Sequence, residues 1–335
     1  MKKYFITGGC GFIGSNFIHY ILNDKRDVLV INLDKLTYAG NPKNLEQVEN
    51  DERYIFYHGD ICDQQIVRKI FTDHKPDYLI NFAAESHVDR SIGKPDDFIQ
   101  TDIFGAFTLL ETARKYSIDK FIQISTDEVY GSIEKGSFSE TDPLMPRNPY
   151  SASKAGADRL AYSYFATYDL PVIITRASNN FGPYQFPEKL IPLFVTNAME
   201  NKKLPIYGDG KNIRDWLYVS DHCAAIQFII DNGVIGEIYN IGGGNELNNL
   251  AITDIILEET NKPDSLKKFV EDRLGHDKRY SLNCDKLIAL GWQPKHNFSQ
   301  AMQSTINWYR DNYQWWKPLK SGEYLDYYKQ NYKGL

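Results

Sequence analysis

Apolar residues gather along this chain in short, nearly continuous runs, separated by stretches where they recur every three or four positions. The runs at 4–7, 28–33, 54–57, 78–82, 121–124 and 172–175 are short and rich in β-branched or aromatic residues. Each predicts a strand buried on both faces, as in a parallel sheet. Between them a helical period runs through Ile13, Phe17, Ile21 and Leu22, and again over 64–73, 97–116 and 149–168. Such strand–helix alternation predicts a doubly wound α/β unit.

After Arg176 proline and glycine become frequent and the alternation loses regularity, although 238–241 is another strand-like run. The division expected is therefore a first unit over 1–176 and a smaller C-terminal α/β portion over 177–335, whose segments can return to the sheet. Open sheets of this kind take ligands at the carboxyl ends of their strands, and the second portion is expected to lie over that edge. Trp308, Tyr309, Tyr313, Trp315, Trp316, Tyr324, Tyr327, Tyr328 and Tyr332 predict an aromatic cap packed on the body.

Composition narrows the partners. The 335 residues are 42% hydrophobic and 24% charged with a formal net charge of −6, which argues against a non-specific nucleic-acid binder. No window approaches the roughly 20 apolar residues of a membrane span, and Met1-Lys2-Lys3 leads straight into a glycine-ended strand, so no membrane partner is expected and the cytoplasm is the default. The four cysteines (Cys10, Cys62, Cys223, Cys284) form no close pair, and no metal is expected.

Chemistry enters at Thr7-Gly8-Gly9-Cys10-Gly11-Phe12-Ile13-Gly14, between the first strand and helix. Glycines 8, 11 and 14 suit a tight turn, a close approach of backbone to a pyrophosphate, and close helix–strand packing; the helix N-terminus then faces the phosphates. A triplet of glycines also serves plain turns. Here Asp34 ends the next strand, about 20 residues on, where a carboxylate accepts from an adenosine ribose and repels a 2′-phosphate. NAD is the cofactor expected, in a Rossmann unit, with Asp60-Ile61 bordering the adenine.

Tyr150 and Lys154 lie four apart at the start of a helical stretch, on one face. A lysine ammonium beside a phenol is expected to lower the phenol pKa from about 10. Just after the strand 121–124 come Ser125-Thr126-Asp127-Glu128. Adjacent carboxylic side chains in a partly buried site split into one acid and one base; an acidic pair also serves simply to cap a helix.

At these residues the chain resembles the nucleotide-sugar branch of the extended short-chain dehydrogenase/reductases, and within it the 4,6-dehydratases of dTDP-glucose. The resemblance spans essentially the whole chain. It is carried by the glycine motif, by Ala83-Ala84-Glu85-Ser86-His87-Val88-Asp89-Arg90-Ser91, Thr126-Asp127-Glu128, Tyr150-xxx-Lys154, Ser178-Asn179-Asn180-Phe181-Gly182-Pro183, Ile213-Arg214-Asp215-Trp216 and Gly275-His276-Asp277. The acid pair is its most diagnostic part, since the related 4-epimerases lack it. Cys10, Leu274 and Gly244 depart from the common pattern.

The resemblance implies Tyr150 as base at C4, with Thr126 bonding the same oxygen and Lys154 holding the nicotinamide ribose. It implies Glu128 as base at C5 and Asp127 as acid on the C6 hydroxyl. Further NAD contacts are implied at Phe12, Ile13, Lys35, Leu36, Thr37, Phe82, Ala83, Ala84, Ser86, Thr101 and Asn180. Substrate contacts are implied at Ser86, Thr126, Asn179, Lys189, Leu190, Pro205, Ile206, Tyr207, Arg214, Asn249, Arg273 and His276. A homodimer is also implied. UDP-glucose as substrate, a 4-epimerase or decarboxylase on the same fold, and a non-catalytic NAD-sensing protein are the alternatives.

Overall fold

A computed structural model of the chain describes residues 1–24, 27–272, 275–322, 324, 325, 328 and 332. Its strands, in chain order, are β1 (Lys2–Thr7), β2 (Val28–Asp34), β3 (Tyr54–His58), β4 (Tyr78–Asn81), β5 (Lys120–Thr126), β6 (Val172–Ala177), β7 (Asn179–Phe181), β8 (Leu204–Tyr207), β9 (Ile213–Tyr218), β10 (Ile238–Ile241), β11 (Glu246–Asn248) and β12 (Lys267–Val270). Seven of them form one sheet in the order β10-β6-β5-β4-β1-β2-β3. Every pairing in it is parallel.

The apolar runs become strands because both faces of this sheet are covered. Successive residues point to opposite faces. Phe5, Ile31, Leu79 and Phe121 join a core with Val67, Phe71 and Leu109. Their neighbours Ile6, Val30, Ile80 and Ile122 join the opposite core with Phe17, Ile21, Ile226 and Ile229. Each strand thus reads as a continuous apolar segment rather than an alternating one.

The chain leaves β1 toward β3, then crosses back to β4 and proceeds the other way. This reversal opens a crevice between the carboxyl ends of β1 and β4. The later residues form a three-stranded sheet (β11-β9-β7), a β12-β8 pair and their own core, including Ile191, Phe194, Trp216, Ile256, Met302, Tyr309 and Trp316. Of the aromatic tail, Tyr309 and Trp316 are wholly buried, with the Trp316 indole donating to the Tyr309 carbonyl at 2.7 Å.

One predicted helix is interrupted. The stretch expected as a single helix over 97–116 is Pro95–Phe98, a π-helical segment Ile99–Gly105, and Ala106–Ala113. The wider turn carries Asp102 inward, where its carboxylate accepts from Ser153 Oγ at 2.5 Å and from the Glu85 amide at 3.0 Å.

Candidate active site

The glycine turn closes the bottom of the crevice. Gly8 has φ +69°, and a Cβ there would lie 2.7 Å from the Ala83 backbone at the end of β4. A Cβ on Gly14 would lie 2.4 Å from the Gly8 carbonyl. Backbone is therefore brought up against the crevice, and the N-terminus of the helix Phe12–Asp24 opens into it. The Asp34 carboxylate accepts from the amides of Cys10 (2.8 Å) and Leu36 (2.7 Å), while burial pushes its pKa upward against those bonds. Lys35 pairs with Asp60 at 2.7 Å on the same rim.

A cavity of about 290 Å³ runs from this turn to the end of β5. Gly8, Gly11, Phe12, Ile13, Gly14, Asp34, Lys35, Thr37, Asp60, Ile61, Phe82, Ala83, Ala84, Ser86, Thr101, Thr126, Asp127, Glu128, Tyr150, Lys154 and Asn180 all line it. Leu36 does not; its side chain packs on the core beneath the sheet and only its amide serves Asp34.

At the far end, Asn148 caps the helix Pro149–Tyr168 through the Ser151 amide, with proline at the first helical position. That start sets Tyr150 in the first turn and Lys154 one turn further along the same face. Lys154 is buried and donates to the Ile124 carbonyl at 2.7 Å. Burial lowers its pKa, and Asp102 opposes the drop. The Tyr150 phenol does not behave as expected from its neighbour: burial, followed by the charges of Glu128 and Asp102, drives its pKa well up. The Lys154 ammonium is directed at the β5 carbonyl instead.

Thr126 caps the short 3₁₀ turn Asp127–Tyr130, accepting from the Glu128 amide at 3.3 Å and donating to Asp127 Oδ1 at 3.1 Å. Asp127 is 2% exposed, and its Oδ2 has no protein partner. Burial, reinforced by the Glu128 charge, raises its pKa well above the usual range, which favours its protonated form. Glu128 faces the opening and meets the Tyr280 hydroxyl at 3.5 Å.

A second cavity of about 160 Å³ meets the first at Glu128, Asn179, Asn180 and Lys189. Its walls include Leu190, Pro205, Ile206, Tyr207, Arg214, Asn249 and His276. The Arg214 guanidinium lies 4.3 Å from the Tyr280 ring centroid and donates to the carbonyls of Ile213 (2.7 Å) and Asp277 (3.0 Å). His276 Nδ1 lies 2.6 Å from Asp272 Oδ1, so this residue has a structural bond as well as a place on the wall. Arg273 and Leu274 lie outside the described residues.

Several wall residues escaped the sequence reading. His222, given no role there, lines the first cavity with Nδ1 3.0 Å from Asn180 Oδ1, and burial lowers its pKa to about 3. It is thus a neutral ring that orients Asn180. Nothing in its helical context signals this. Tyr332 lines the second cavity and Asp102 lies behind Lys154. Glu85 and Ser178 on the first wall and His87, Val88 and Asp89 on the second do fall within the quoted motifs, as does Asp277, which lies off both walls and accepts from the Tyr280 hydroxyl at 2.7 Å.

The crevice is built to receive an extended ligand, with a helix N-terminus at its bed for an anionic portion and hydrogen-bond acceptors on its walls. Its bed admits no Cβ at Gly8 or Gly14, and buried polar atoms on its walls, Asn179 Oδ1, Gln185 Oε1 and His222 Nε2, have no protein partner. These features fit a dinucleotide. Residues 5–305 match the family model described as GDP-mannose 4,6 dehydratase. The chain is 47% identical to dTDP-glucose 4,6-dehydratase 1 of Escherichia coli, with 99% of each chain covered. This chain belongs to the dTDP-glucose 4,6-dehydratase family. Within reach of the same family lies the low-salt glycan biosynthesis protein Agl12 of Haloferax volcanii, 52% identical over 91% of this chain and 97% of that protein. The fold is also that of the DesIV dTDP-glucose 4,6-dehydratase from Streptomyces venezuelae, solved with NAD bound. That match has a TM-score of 0.93 and 48% identity, covering 95% of this chain and 100% of the other.

Proposed function

We propose that this chain is an NAD-dependent hydro-lyase that converts dTDP-glucose to dTDP-4-keto-6-deoxyglucose and water. The observation that carries this reading is the placement of the acid pair, with Asp127 buried on the wall of the first cavity and Glu128 common to both cavities. An elimination needs one acid and one base on adjacent carbons, and this pair offers both. Family membership and the dTDP-glucose relatives favour this substrate over UDP-glucose.

Tyr150 takes the proton of the C4 hydroxyl while Thr126 bonds the same oxygen; burial alone opposes the phenolate this needs, and the positive nicotinamide ring of bound NAD together with the Lys154 ammonium would favour it. NAD, when bound, supplies a reversible hydride acceptor, so the oxidation at C4 and the reduction at C6 cancel over one turnover. Glu128 removes the C5 proton, acidified by the neighbouring ketone, and gives it back to C5 when C6 is reduced; the proton taken by Tyr150 replaces the one that Asp127 gives up. Asp127 gives its proton to the C6 hydroxyl, which departs as water. Lys154 and Asp34 hold the two riboses, and Arg214 and Lys189 take the diphosphate of the sugar nucleotide, a role suited to guanidinium and ammonium groups. In this reading 1–176 chiefly serve the cofactor and 177–335 the sugar nucleotide, with β10 completing the sheet. The enzyme is read as a cytoplasmic homodimer. The exposed apolar side chains Ile92, Ile99, Phe104, Tyr162 and Tyr168 on the helical segments 88–113 and 149–168 support pairing through that face, which equilibrium sedimentation tests.

The deciding experiment incubates the protein with dTDP-glucose and, separately, UDP-glucose, and follows mass and sugar configuration. Loss of one water from the dTDP sugar without net consumption of NAD is expected. An isomeric product of unchanged mass would make the chain an epimerase. An Asp127→Asn, Glu128→Gln variant that still released water at the parent rate would remove both residues from the chemistry.

A further inference from the structure

A cofactor regenerated in each turnover is useful only if it stays in place, and the structure shows what can hold it. The first cavity has two facing rims. One is the loop after β2, where Thr37, Ala39 and Gly40 form the wall; the other is the segment before the helix Leu190–Met199, where Phe186 and Glu188 do. Tyr38 bridges them. Its ring stands edge-on to Phe186, with centroids 5.5 Å apart, and its hydroxyl donates to Glu188 Oε1 at 2.8 Å. From a third element, the helix Val88–Gly93, Arg90 completes the junction. Its guanidinium lies 3.7 Å from the Tyr38 ring centroid, and its Nε donates to Glu188 Oε2 at 3.3 Å.

Where these bonds lie decides their weight. The Glu188 side chain is 1% exposed and that of Arg90 23% exposed, so this is not a surface pair diluted by solvent. Separating the rims would take the Tyr38 hydroxyl from a buried carboxylate, and a donor lost by a buried charge costs more than one lost at the surface. Burial, followed by the Glu188 charge, also raises the Tyr38 pKa well above its ordinary value, so the phenol remains a donor. Tyr38 itself contributes nothing to the cavity wall.

We infer that Tyr38, Arg90 and Glu188 form a clasp that joins the two rims over the dinucleotide and slows its release. They are positioning residues and take no part in the chemistry of the sugar. The inference rests on the NAD-dependent reading above.

The test substitutes Tyr38→Phe in the full chain, which keeps the ring against Phe186 and Arg90 and removes only the hydroxyl. Dissociation of NAD is measured by stopped-flow displacement, together with the nucleotide that survives gel filtration and kcat and KM with and without added NAD. The expected result is NAD release faster by roughly tenfold, the scale of one hydrogen bond to a buried charge. Activity lost on gel filtration should return on adding NAD, with KM for dTDP-glucose unchanged. Arg90→Lys, which keeps the charge but loses the planar fork, is expected to act in the same direction and decides the matter if Tyr38→Phe does not melt cooperatively. Normal NAD binding by the parent with release unchanged within about twofold in both variants overturns the clasp alone. A parent protein that binds no NAD overturns the cofactor reading itself, and the clasp with it.

Discussion

Four glycines offer a way to separate conformational strain from steric conflict at the cofactor bed. Gly93 ends a helix, and a Cβ there would meet nothing within 4 Å; alanine should be neutral or stabilise by about 0.5–1 kcal/mol. Gly244 has φ +69° but equally open surroundings, so Gly244→Ala should cost about 1–2 kcal/mol for the left-handed backbone alone. At Gly14 the conflict is steric, with 2.4 Å to the Gly8 carbonyl and 2.8 Å to the Gly9 Cα, both backbone atoms that cannot rotate away. Overpacking of that kind costs about 1–3 kcal/mol, less the fraction that alanine regains in a helix. Gly8 combines both penalties, φ +69° and 2.7 Å to the Ala83 backbone, and should lose about 2–5 kcal/mol out of a stability of roughly 5–15. Urea denaturation of the four single variants measures the order, and calorimetric titration with NAD measures its functional counterpart. Because Gly8 and Gly14 belong to the same turn and both line the first cavity, both substitutions should weaken NAD binding, whereas the Gly93 and Gly244 variants should bind as the parent does. If Gly8→Ala cost no more than Gly244→Ala, the closeness of β1 to the end of β4 would not be what glycine serves there.

Burial, followed by repulsion from Asp102 and Asp97, raises the Glu85 pKa to about 7, and burial raises that of Asp102 to about 6. Folded-state values above the unfolded ones, near 4, mean that both acids contribute stability at low pH that is lost as pH rises through about 6 and 7. Glu85→Gln should therefore flatten the stability profile between about pH 4 and 7, by on the order of 1–3 kcal/mol; parallel profiles in urea melts would contradict the assignment. Arg214→Lys should raise KM for the nucleotide sugar by about tenfold or more with kcat much less affected, since an ammonium cannot reproduce the planar fork. A kcat loss at constant KM would instead place Arg214 at the reacting carbons.

The parallel sheet was legible because its strands are buried on both faces, which turns each into an unbroken apolar run. Glycines 8, 11 and 14 and the Tyr150–Lys154 pair were legible because they depend on spacings of a few residues. What escaped depends on distance or on hydrogen-bond register. The π-helical segment Ile99–Gly105 keeps an ordinary helical pattern of apolar residues while its backbone widens by one residue. The Tyr38–Glu188 bond joins residues 150 positions apart, and His222 reaches Asn180 from a helix whose pattern reads only as core. Leu36 shows the converse: between the wall residues Lys35 and Thr37, its side chain packs on the core and its amide bonds Asp34.

The acid pair shows most clearly what the fold adds to a motif. In an extended strand Asp127 and Glu128 would point to opposite faces of the sheet, and in an α-helix they would diverge around its axis. Thr126 ends β5 and caps a 3₁₀ turn, so the chain tightens at this point to about three residues per turn. Asp127 is swung under the turn, where burial and the next carboxylate hold it neutral; Glu128 is left at the mouth, common to both cavities. Repulsion between neighbouring carboxylates does not by itself choose which one keeps the proton. Burial chooses Asp127, and that burial comes from the cap rather than from the identity of either acid. Exchanging the two residues would leave the composition and charge of the site unchanged, yet it would send the longer side chain under the turn and the shorter one to the mouth. Two adjacent carboxylic acids become an acid and a base only on this local backbone.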